Sequence, residues 1–464
     1  MSAPRVVVVG AGPAGVRAAE ALVAAGIRPV VIDEGRRSGG QIYRRQPEGF
    51  KRDYASLYGS EAAKAKAVHT AFDALREHAD YRPETLAWNL TPGMLHLVQP
   101  ADGSTSEAPF DALIVCSGAT DRLMPVPGWN LAGCYSLGAS QIALKAQACA
   151  IGSRVIFMGS GPLLYLVASQ YVKAGATVEA VLDTSPAIPP LTALSGLLSR
   201  PRLLWIGLQL QLMLKRAGVT LLKGVAPQRI EGSPTLGVSG VLVRDAQGRE
   251  RRFSGDAVGL GWHLRAESQL ADLARCEFDF DPLSRQWLPR IDADGRSSTA
   301  GVYLAGDGAR ILGADGAEAA GRLAALAALH DLGHSAGSAM YVKEQPALRQ
   351  TLATMERFRQ GLARAFPWPH QQAAALPDAA VVCRCEAITA GELRHCVNDF
   401  GSQEVNRAKA FSRVGMGRCQ GRYCGHAAAE VIAACASIPV ESVGRIRSQA
   451  PVKPVLMNAE EVQR

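Results

Sequence analysis

The first 35 residues alternate short apolar runs with one longer segment of helical character. Val6–Val9 is an unbroken run of β-branched residues, which predicts a strand covered on both faces. A glycine-rich turn follows, then an alanine-rich stretch that ends at Gly26, and a second apolar run over Val30–Ile32. This order predicts a strand, a helix and a second, parallel strand.

The same order of elements begins again in the middle of the chain. Residues 154–158 form a run that is apolar after Arg154, a second glycine turn follows at 159–162, and residues 178–182 read as the next strand. A third run, residues 302–304, also ends in a glycine turn. Two such units in one chain predict an α/β protein with an internal repeat of the nucleotide-binding kind.

Composition supports a globular protein of several domains. The length of 464 residues suggests about three domains. With 48% hydrophobic and 20% charged residues, the chain is too apolar to be mainly disordered. Ten cysteines are too sparse for a small secreted disulfide scaffold, so their spacing matters more than their number.

The basic charge does not indicate a nucleic-acid partner. The net charge is +8, but the Lys and Arg residues are scattered, whereas a polyanion needs a contiguous basic stripe. The longest apolar stretch, residues 191–214, is broken by Arg200, Pro201 and Arg202, which favours an amphipathic or buried segment over a membrane span. The N-terminus lacks the pattern of a signal peptide, so we expect a cytoplasmic protein, either free or peripheral at the inner membrane face.

The first glycine turn has the spacing of a dinucleotide site. Gly10, Gly12 and Gly15 allow the tight turn, the close approach of the backbone to a pyrophosphate, and the packing of helix on strand. An acid at the end of the second strand would accept hydrogen bonds from an adenosine ribose. Asp33 and the adjacent Glu34 are both candidates, with Asp33 favoured.

The second glycine turn is incomplete. Gly159 and Gly161 are present, but Leu164 stands where a third glycine would be, and Asp183 ends the following strand. A nicotinamide cofactor, another adenine nucleotide, or a fold that has lost its ligand all remain compatible with this pattern.

Four cysteines near the C-terminus have the spacing of a metal centre. They form a Cys-x-Cys pair and a Cys-x4-Cys pair, on Cys383, Cys385, Cys419 and Cys424. Two pairs of thiolates on tight turns can supply four sulfur ligands, and Gly415, Gly417 and Gly421 let the backbone fold closely around them. A structural zinc ion or four ordinary buried cysteines are the alternatives. The other six cysteines are expected to be core residues.

Several further motifs resemble FAD-binding proteins of the two-dinucleotide-domain type. The resemblance is carried by Pro13 and Ala14 in the first turn, by the run Gly39-Gly40-Gln41, by Ser117-Gly118 after a strand, and by Gly306-Asp307. It implies FAD, with the Gly-Gly run along the cofactor and Asp307 near its ribityl and pyrophosphate region. No redox cysteine pair follows Gly40, so disulfide reduction is not expected.

The cysteine region resembles the [2Fe-2S] domain named after bacterioferritin-associated ferredoxin. Joined to an FAD-binding body, it is similar to the larger subunit of heteromeric flavin-dependent amino- and imino-acid dehydrogenases, the group of hydrogen cyanide synthase, opine oxidase, D-hydroxyproline dehydrogenase and the α subunits of proline dehydrogenase and sarcosine oxidase. This implies a Rossmann-like FAD domain (1–125 and 263–340) interrupted by a NAD(P)-binding-like domain (126–262). A linker (341–377), a helical iron–sulfur domain (378–436) and a C-terminal tail (437–464) would follow.

The resemblance also implies a role and partners. A β subunit resembling D-amino-acid oxidase would oxidise the substrate, and this chain would carry the electrons to a quinone or similar acceptor, so it would have no catalytic acid, base or nucleophile. The resemblance leaves open whether an FMN lies at the interface with the β subunit and whether a small third subunit is present. The alternatives are a free-standing NAD(P)H-dependent flavin reductase that serves a ferredoxin-like partner, and a non-enzymatic iron–sulfur sensor or docking module.

Overall fold

The computed structural model describes residues 4–50 and 52–456. The first eleven helices and strands, in chain order, are β1 (Val6–Val9), α1 (Pro13–Ala24), β2 (Val30–Ile32), α2 (Tyr54–Tyr58), α3 (Ala62–Leu75), β3 (Asp80–Arg82), β4 (Leu86–Thr91), β5 (Met94–Val98), β6 (Thr105–Pro109), β7 (Ala112–Val115) and β8 (Ala119–Asp121).

The middle of the chain continues with β9 (Cys134–Ser136), α4 (Leu137–Ala146), β10 (Arg154–Ser160), α5 (Pro162–Lys173), β11 (Thr177–Asp183), α6 (Leu191–Leu197), α7 (Pro201–Arg216), β12 (Thr220–Lys223), β13 (Ala226–Ser233), β14 (Gly237–Arg244), β15 (Glu250–Ser254) and β16 (Ala257–Trp262).

The remaining elements are β17 (Leu264–Ala266), α8 (Gln269–Leu273), β18 (Phe278–Asp281), β19 (Gln286–Pro289), β20 (Val302–Leu304), α9 (Gly313–Asp331), α10 (Ser335–Ala365), α11 (His370–Ala374), β21 (Val381–Cys383), β22 (Ile388–Thr389), α12 (Ala390–Phe400), α13 (Val405–Ser412), α14 (Gly425–Ala436) and α15 (Val440–Val443).

A parallel five-stranded sheet organises the first nucleotide-binding unit. Its strand order is β20-β7-β1-β2-β3, so β20 returns from late in the chain to pair with β7. Val6 and Val8 pack into the cluster formed with α1 and α9, whereas Val7 and Val9 pack against the other face of the sheet, which β4–β6 help to cover. Burial on both faces explains why β1 is apolar at every position.

A second parallel sheet, in the order β12-β11-β10-β16-β9, organises the middle unit. Val155 and Phe157 of β10 pack on the face covered by α5, and Ile156 and Met158 pack on the face covered by the β13–β15 sheet. The α/β fold class predicted from the repeated strand–turn–helix pattern is therefore confirmed.

The segment expected to be a linker, residues 341–377, is mostly helical. Helix α10 extends to Ala365, because Phe358 and Ala365 bury their side chains against Ala193 and Leu197 of α6. Beyond it, Trp368 and Ala373 are 5% and 0% exposed. This segment is packed onto the body along its length.

Helices α12–α15 and the β21–β22 hairpin form the small C-terminal unit. Its two apolar clusters are built around Val382, Leu393 and Val431, and around Val405 and Ile432. The tail that follows is described as far as residue 456, and residues 457–464 lie outside the described part.

The expectation for the six remaining cysteines holds for four of them. Cys116, Cys134, Cys276 and Cys396 are buried, and Cys435 is only partly buried. The core prediction is wrong for Cys149, which is exposed because it lies in the turn after α4. No described helix is long and apolar enough to cross a membrane.

Candidate functional site

The first glycine turn is shaped by contacts that leave no room for side chains. A Cβ on Gly10 would lie 2.3 Å from the Cys116 carbonyl oxygen, and one on Gly15 would lie 1.7 Å from the Gly10 carbonyl oxygen. Helix α1 begins with Pro13, and no side chain among the described residues caps its first turn. Its leading N–H groups and the positive end of its dipole are therefore free for an anionic group.

The predicted Gly-Gly run lies against this turn. The Gly39 N–H donates to the Ala11 carbonyl at 2.8 Å, and a Cβ on Gly40 would lie 2.9 Å from the Gly12 Cα. Both glycines have positive φ angles, 115° and 62°, which an L side chain rarely adopts. Gln41 follows on the surface.

The two remaining predicted segments close the other side of the turn. A Cβ on Gly306 would lie 2.9 Å from the Ala14 Cβ, so the turn before α9 touches the start of α1. A Cβ on Gly308 would lie 2.5 Å from the Ser117 Oγ. Space at Gly118 is open, since none of the described residues stands within 4 Å of a Cβ built there.

The two candidate ribose acids have different surroundings. Asp33 accepts hydrogen bonds from the Ala11 N–H at 2.5 Å and the Gly35 N–H at 2.6 Å, and burial raises the pKa of its carboxyl. The Glu34 side chain is half exposed and pairs with Lys453. Asp33 therefore holds the backbone of the turn, while Glu34 extends outward.

Asp307 joins the same site through the start of α9. Its Oδ1 accepts from the Leu312 and Gly313 N–H groups, at 2.9 and 3.1 Å. None of the described residues hydrogen bonds to Oδ2, and burial raises the pKa of the carboxyl to about 6. The uncapped helix, the glycine cradle and this partly unpaired carboxyl fit a dinucleotide such as FAD.

The four predicted cysteines form a chain of thiol contacts. The Cys424 thiol interacts with Cys383 and Cys419, which raise its pKa, and the interaction with Cys385 helps to lower the pKa of Cys419. Donation from Cys424 lowers the pKa of Cys383 to about 6, and the pKa of Cys424 itself is raised. No group of three or more His, Cys, Asp or Glu side chains within residues 4–50 and 52–456 is arranged to hold a single metal ion.

Glycines allow the second cysteine loop to close over the first. A Cβ on Gly417 would lie 2.2 Å from the Cys385 Cβ. Gly415 and Gly421 have φ angles of 79° and 78°, and Gly421 places its backbone against Ile446. All four sulfurs are thus gathered between two tight turns, a donor set that suits an iron–sulfur centre.

A short series of contacts links the first glycine site to the cysteines. The Ser117 Oγ donates to the Glu267 carbonyl oxygen at 2.5 Å, and the Glu267 N–H donates to the Gly118 carbonyl at 3.0 Å. The Glu267 carboxylate forms a bidentate pair with Arg422, at 2.8 and 3.0 Å. The Arg422 Nη1 also donates to the Cys419 carbonyl at 3.2 Å.

This Arg–Glu pair is buried and electrostatically supported. Both side chains are 9% exposed. Although burial opposes its charge, Arg265 and Arg422 together hold the pKa of Glu267 below its ordinary value. The pair is a fixed contact between the candidate flavin segment and the loop that carries Cys419.

Two further bidentate pairs hold the cysteine unit to the body. Arg445 pairs with Asp272 at 2.7 and 2.8 Å, and Arg285 pairs with Glu430 at 2.8 and 2.6 Å. Sequence reasoning missed these residues and Glu267, because the partners are 145 to 173 positions apart and each residue type is common on surfaces. A single acid in a segment near a glycine turn carries too little information to identify such a pair.

A polar cavity of about 90 Å³ lies between the body and the cysteine unit. Arg265, Gln269, Trp287 and His426 are among its lining residues. Three buried atoms there have no hydrogen-bond partner among the described residues: Nη1 of Arg265, Oε1 of Gln269 and Nε1 of Trp287. The cavity therefore suits water or a small polar group rather than an apolar one.

The second glycine turn is occupied by the protein itself. A Cβ on Gly161 would meet three atoms of the His263 imidazole at 3.2 to 3.4 Å, so this ring lies against the turn. His263 is held there by the Phe366 carbonyl oxygen, 2.7 Å from its Nε2. The segment after α10 thus packs beside the position where a pyrophosphate would approach.

The acid of this second unit is also engaged. Asp183 is 0% exposed and accepts hydrogen bonds from the Tyr165 hydroxyl at 2.6 Å, the Ser185 N–H at 2.9 Å and the Ser185 hydroxyl at 2.6 Å. Burial raises the pKa of its carboxyl. Both of its oxygens therefore already accept hydrogen bonds within the protein, and the carboxyl is closed to a ribose.

Comparison with known families matches two segments of the chain. Residues 4–327 match the pyridine nucleotide-disulphide oxidoreductase family, and residues 381–434 match the BFD-like [2Fe-2S] binding domain. The first match covers both glycine turns, and the second covers all four cysteines. The families imply FAD and a [2Fe-2S] cluster.

Whole-chain relatives carry both segments. The chain is 36% identical to an opine oxidase subunit of Rhizobium meliloti, over 97% of this chain and 86% of that protein. It is 29% identical to hydrogen cyanide synthase subunit HcnB of Pseudomonas protegens, over 98% of this chain and 96% of that protein.

Two solved structures share the fold. L-proline dehydrogenase from P. horikoshii superposes with a TM-score of 0.67 at 19% identity, covering 98% of this chain and 79% of that chain. Thioredoxin reductase from T. acidophilum superposes with a TM-score of 0.52 at 20% identity, covering 72% of this chain and 99% of that one.

Proposed function

The chain belongs to the pyridine nucleotide-disulphide oxidoreductase family, in one group with the opine oxidase subunit of Rhizobium meliloti, and from this premise we propose that it is the electron-relay subunit of a heteromeric dehydrogenase. A partner β subunit resembling D-amino-acid oxidase oxidises an amino or imino acid, such as proline, hydroxyproline, an opine or glycine. This chain then passes the electrons to a quinone or a similar acceptor at the membrane face. An interfacial FMN, together with a small third subunit, belongs to the same proposal.

The contact series from Ser117 through Glu267 and Arg422 to Cys419 is the observation that carries this proposal. A flavin accepts two electrons as a hydride and releases them singly, which is the chemistry that a one-electron iron–sulfur centre requires. Gly10, Gly12 and Gly15, with the start of α1, would hold the FAD pyrophosphate, and the acid at the end of β2 would hold the ribose. Cys383, Cys385, Cys419 and Cys424 would hold the cluster.

The role of the chain's own residues is to fix distance and exclude water. Arg422 and Glu267 tie the cysteine loop to the flavin-contacting segment, so that the two cofactor sites keep one separation. Burial of this pair keeps solvent away from the pair itself. We assign no catalytic acid or base to this chain.

The alternative of an NAD(P)H-dependent reductase finds less support. The imidazole of His263 lies against Gly161, and Asp183 is already bonded by Tyr165 and Ser185. Stopped-flow mixing with NADH is the direct measurement. We expect no bleaching of the flavin absorbance by NADH, and rapid bleaching by NADH would establish the reductase instead.

The relay itself is tested by replacing cluster ligands in the purified complex. Cys419→Ser or Cys424→Ser should remove the iron and the cluster absorbance, keep the flavin, and abolish transfer from substrate to an artificial electron acceptor. Cys435→Ser is the matched control, because Cys435 lies in the same unit but outside the four-thiol group. Full turnover by a cluster-free variant would show that these cysteines are not in the electron path, and would favour a sensor or docking role.

A further inference from the structure

Helices α6 and α7 expose a group of large apolar side chains to solvent. We call the basic apolar face the surface formed by these side chains and their basic neighbours on α7. Ile188 and Leu191 are each 83% exposed, and Trp205 is 62% exposed. The other exposed apolar members are Leu194, Leu198, Leu208 and Leu212. Exposed apolar patches mark binding surfaces.

The spacing of these residues puts them on one side of each helix. Leu191, Leu194 and Leu198 are three and four positions apart, and so are Trp205, Leu208 and Leu212. The opposite sides are already used: Ala193 and Leu197 of α6 pack on α10, and Leu214 of α7 is buried against the middle sheet. On each helix the exposed side is therefore opposite the side that packs on the body.

Charge distinguishes this face from an ordinary apolar patch. From residue 184 to residue 230 the sequence contains no Asp or Glu, but it contains Arg200, Arg202, Lys215, Arg216, Lys223 and Arg229. Arg202, Lys215 and Arg216 are exposed on α7 and form no ion pair within the described part of the chain. A tryptophan and leucines bordered by unpaired cations are the composition of a helix that lies in the interface of an anionic bilayer.

We infer that the basic apolar face binds the surface of an anionic phospholipid membrane. Trp205, Leu208 and Leu212 enter the boundary between head groups and acyl chains, while Arg202, Lys215 and Arg216 contact lipid phosphates. A protein interface is a weaker match, because a border of unpaired cations in a segment without any acid from residue 184 to residue 230 suits an extended anionic surface. This deepens the proposed relay and rests on it for its purpose, since a quinone acceptor dissolves in such a membrane.

Vesicle binding tests the inference without any electron transfer. The purified chain, and its complex with the co-purifying β subunit, are sedimented with vesicles of phosphatidylcholine and phosphatidylglycerol, and with vesicles of phosphatidylcholine alone. We expect binding to the anionic vesicles that weakens as salt is added. Trp205 is the exposed one of the six tryptophans, all of which are described, so its emission should shift to the blue on binding.

Two double variants and one control locate the contact. Leu208→Glu with Leu212→Glu should weaken anionic-vesicle binding about tenfold or more, because each leucine loses its transfer into the boundary region. Lys215→Gln with Arg216→Gln should weaken it about tenfold and reduce the salt dependence. Val342→Glu replaces a 69% exposed apolar residue on a different helix, α10, and should leave binding unchanged.

Each other outcome overturns the inference. Absence of binding by both the chain and the complex contradicts a membrane surface, and binding that survives both double variants places the contact elsewhere. If the leucine variants instead release the partner subunit, or convert a dimer of this chain to a monomer by mass, the face is a protein interface. Electron transfer to a soluble dye is measured in parallel, so failure of the relay is recognised separately.

Discussion

Asp33 and Glu34 are neighbours in sequence, but their side chains have different surroundings and therefore different roles. Asp33 is bonded to two backbone N–H groups of the turn, whereas Glu34 is half exposed. We therefore propose Glu34 as the ribose ligand, although the sequence alone favours Asp33.

Substitution of the two acids should separate these roles. Glu34→Gln should weaken FAD binding about tenfold, through loss of a charge-assisted hydrogen bond, with an unchanged melting temperature. Asp33→Asn should lower the melting temperature of the FAD-free protein, because one turn N–H loses its charged acceptor. FAD titration and thermal unfolding measure the two effects, and Lys453→Gln controls for loss of the surface pair. If the Glu34→Gln protein binds FAD with unchanged affinity, Asp33 is the ribose ligand.

Arg422 shows how much one buried ion-pair partner can contribute to the free energy of unfolding. Arg422→Ala leaves the buried Glu267 with only the longer contact to Arg265, at 3.8 Å, and should cost about 3 kcal/mol, the lower end of the loss for breaking a buried pair. The matched control is Arg413→Ala, whose arginine is 65% exposed in its pair with Glu386, so its loss should cost less than about 1 kcal/mol. Denaturant unfolding measures both.

The same variant addresses the relay. If Arg422 positions the cluster loop, Arg422→Lys should recover part of the stability but shift the reduction potential of the cluster, because a single ammonium cannot reproduce the planar bidentate pair. Spectroelectrochemical titration gives this potential. An unchanged potential together with lost stability would make the pair purely structural.

The segment after α10 does more than connect two units. It brings the Phe366 carbonyl to His263 and Trp368 to the guanidinium of Arg122, whose carbon lies 3.9 Å from the ring centroid. Burial lowers the pKa of His263 to about 4. This folded-state pKa is below the unfolded value of about 6.5, so folding favours the neutral ring.

The preference of the folded state for the neutral ring makes stability depend on pH. The stabilisation is complete above about pH 6.5 and is lost as pH falls toward 4, because only the unfolded chain takes up the proton in that window. The loss amounts to at most roughly 3 kcal/mol, at about 1.4 kcal/mol per pH unit. His263→Gln keeps an N–H donor for Phe366 and should flatten the decline in melting temperature between pH 6.5 and 4. The exposed His78→Gln should leave that decline as it is, and an unchanged slope in His263→Gln would contradict the assignment.

Elements whose pattern is local could be predicted from the sequence, and those that depend on distant partners could not. The strands β1 and β10 and the turns after them follow from apolar runs and glycines within about ten residues. The packing of residues 366–370 onto the body could not be predicted, since a stretch of Pro and aromatic residues is also typical of linkers. The occupied second glycine turn depends on His263, which lies 102 positions after Gly161.

The candidate sites also divide into local features, which the sequence predicts, and long-range contacts, which it does not. The cysteines and the first turn were predictable because ligand spacing is a local property. The way the cysteine unit attaches to the body was not, because it rests on Glu267, Asp272 and Arg285 pairing with residues far along the chain. These three bidentate pairs connect the cysteine unit to the body.

That attachment predicts how the molecule unfolds. With three buried or half-buried pairs across the junction, the body and the cysteine unit should melt together in one calorimetric transition of the cofactor-loaded protein. Removing two acids at once, Glu267→Ala with Asp272→Ala, leaves Arg422 and Arg445 unpaired, and should split the transition so that loss of the cluster absorbance precedes loss of the flavin signal. Exposed acids serve as the control: Asp279→Ala with Glu277→Ala removes a pair of carboxylates from surface contacts with Arg290 and should keep the single transition. If the double junction variant also melts as one unit, apolar packing rather than these ion pairs joins the two cofactor sites.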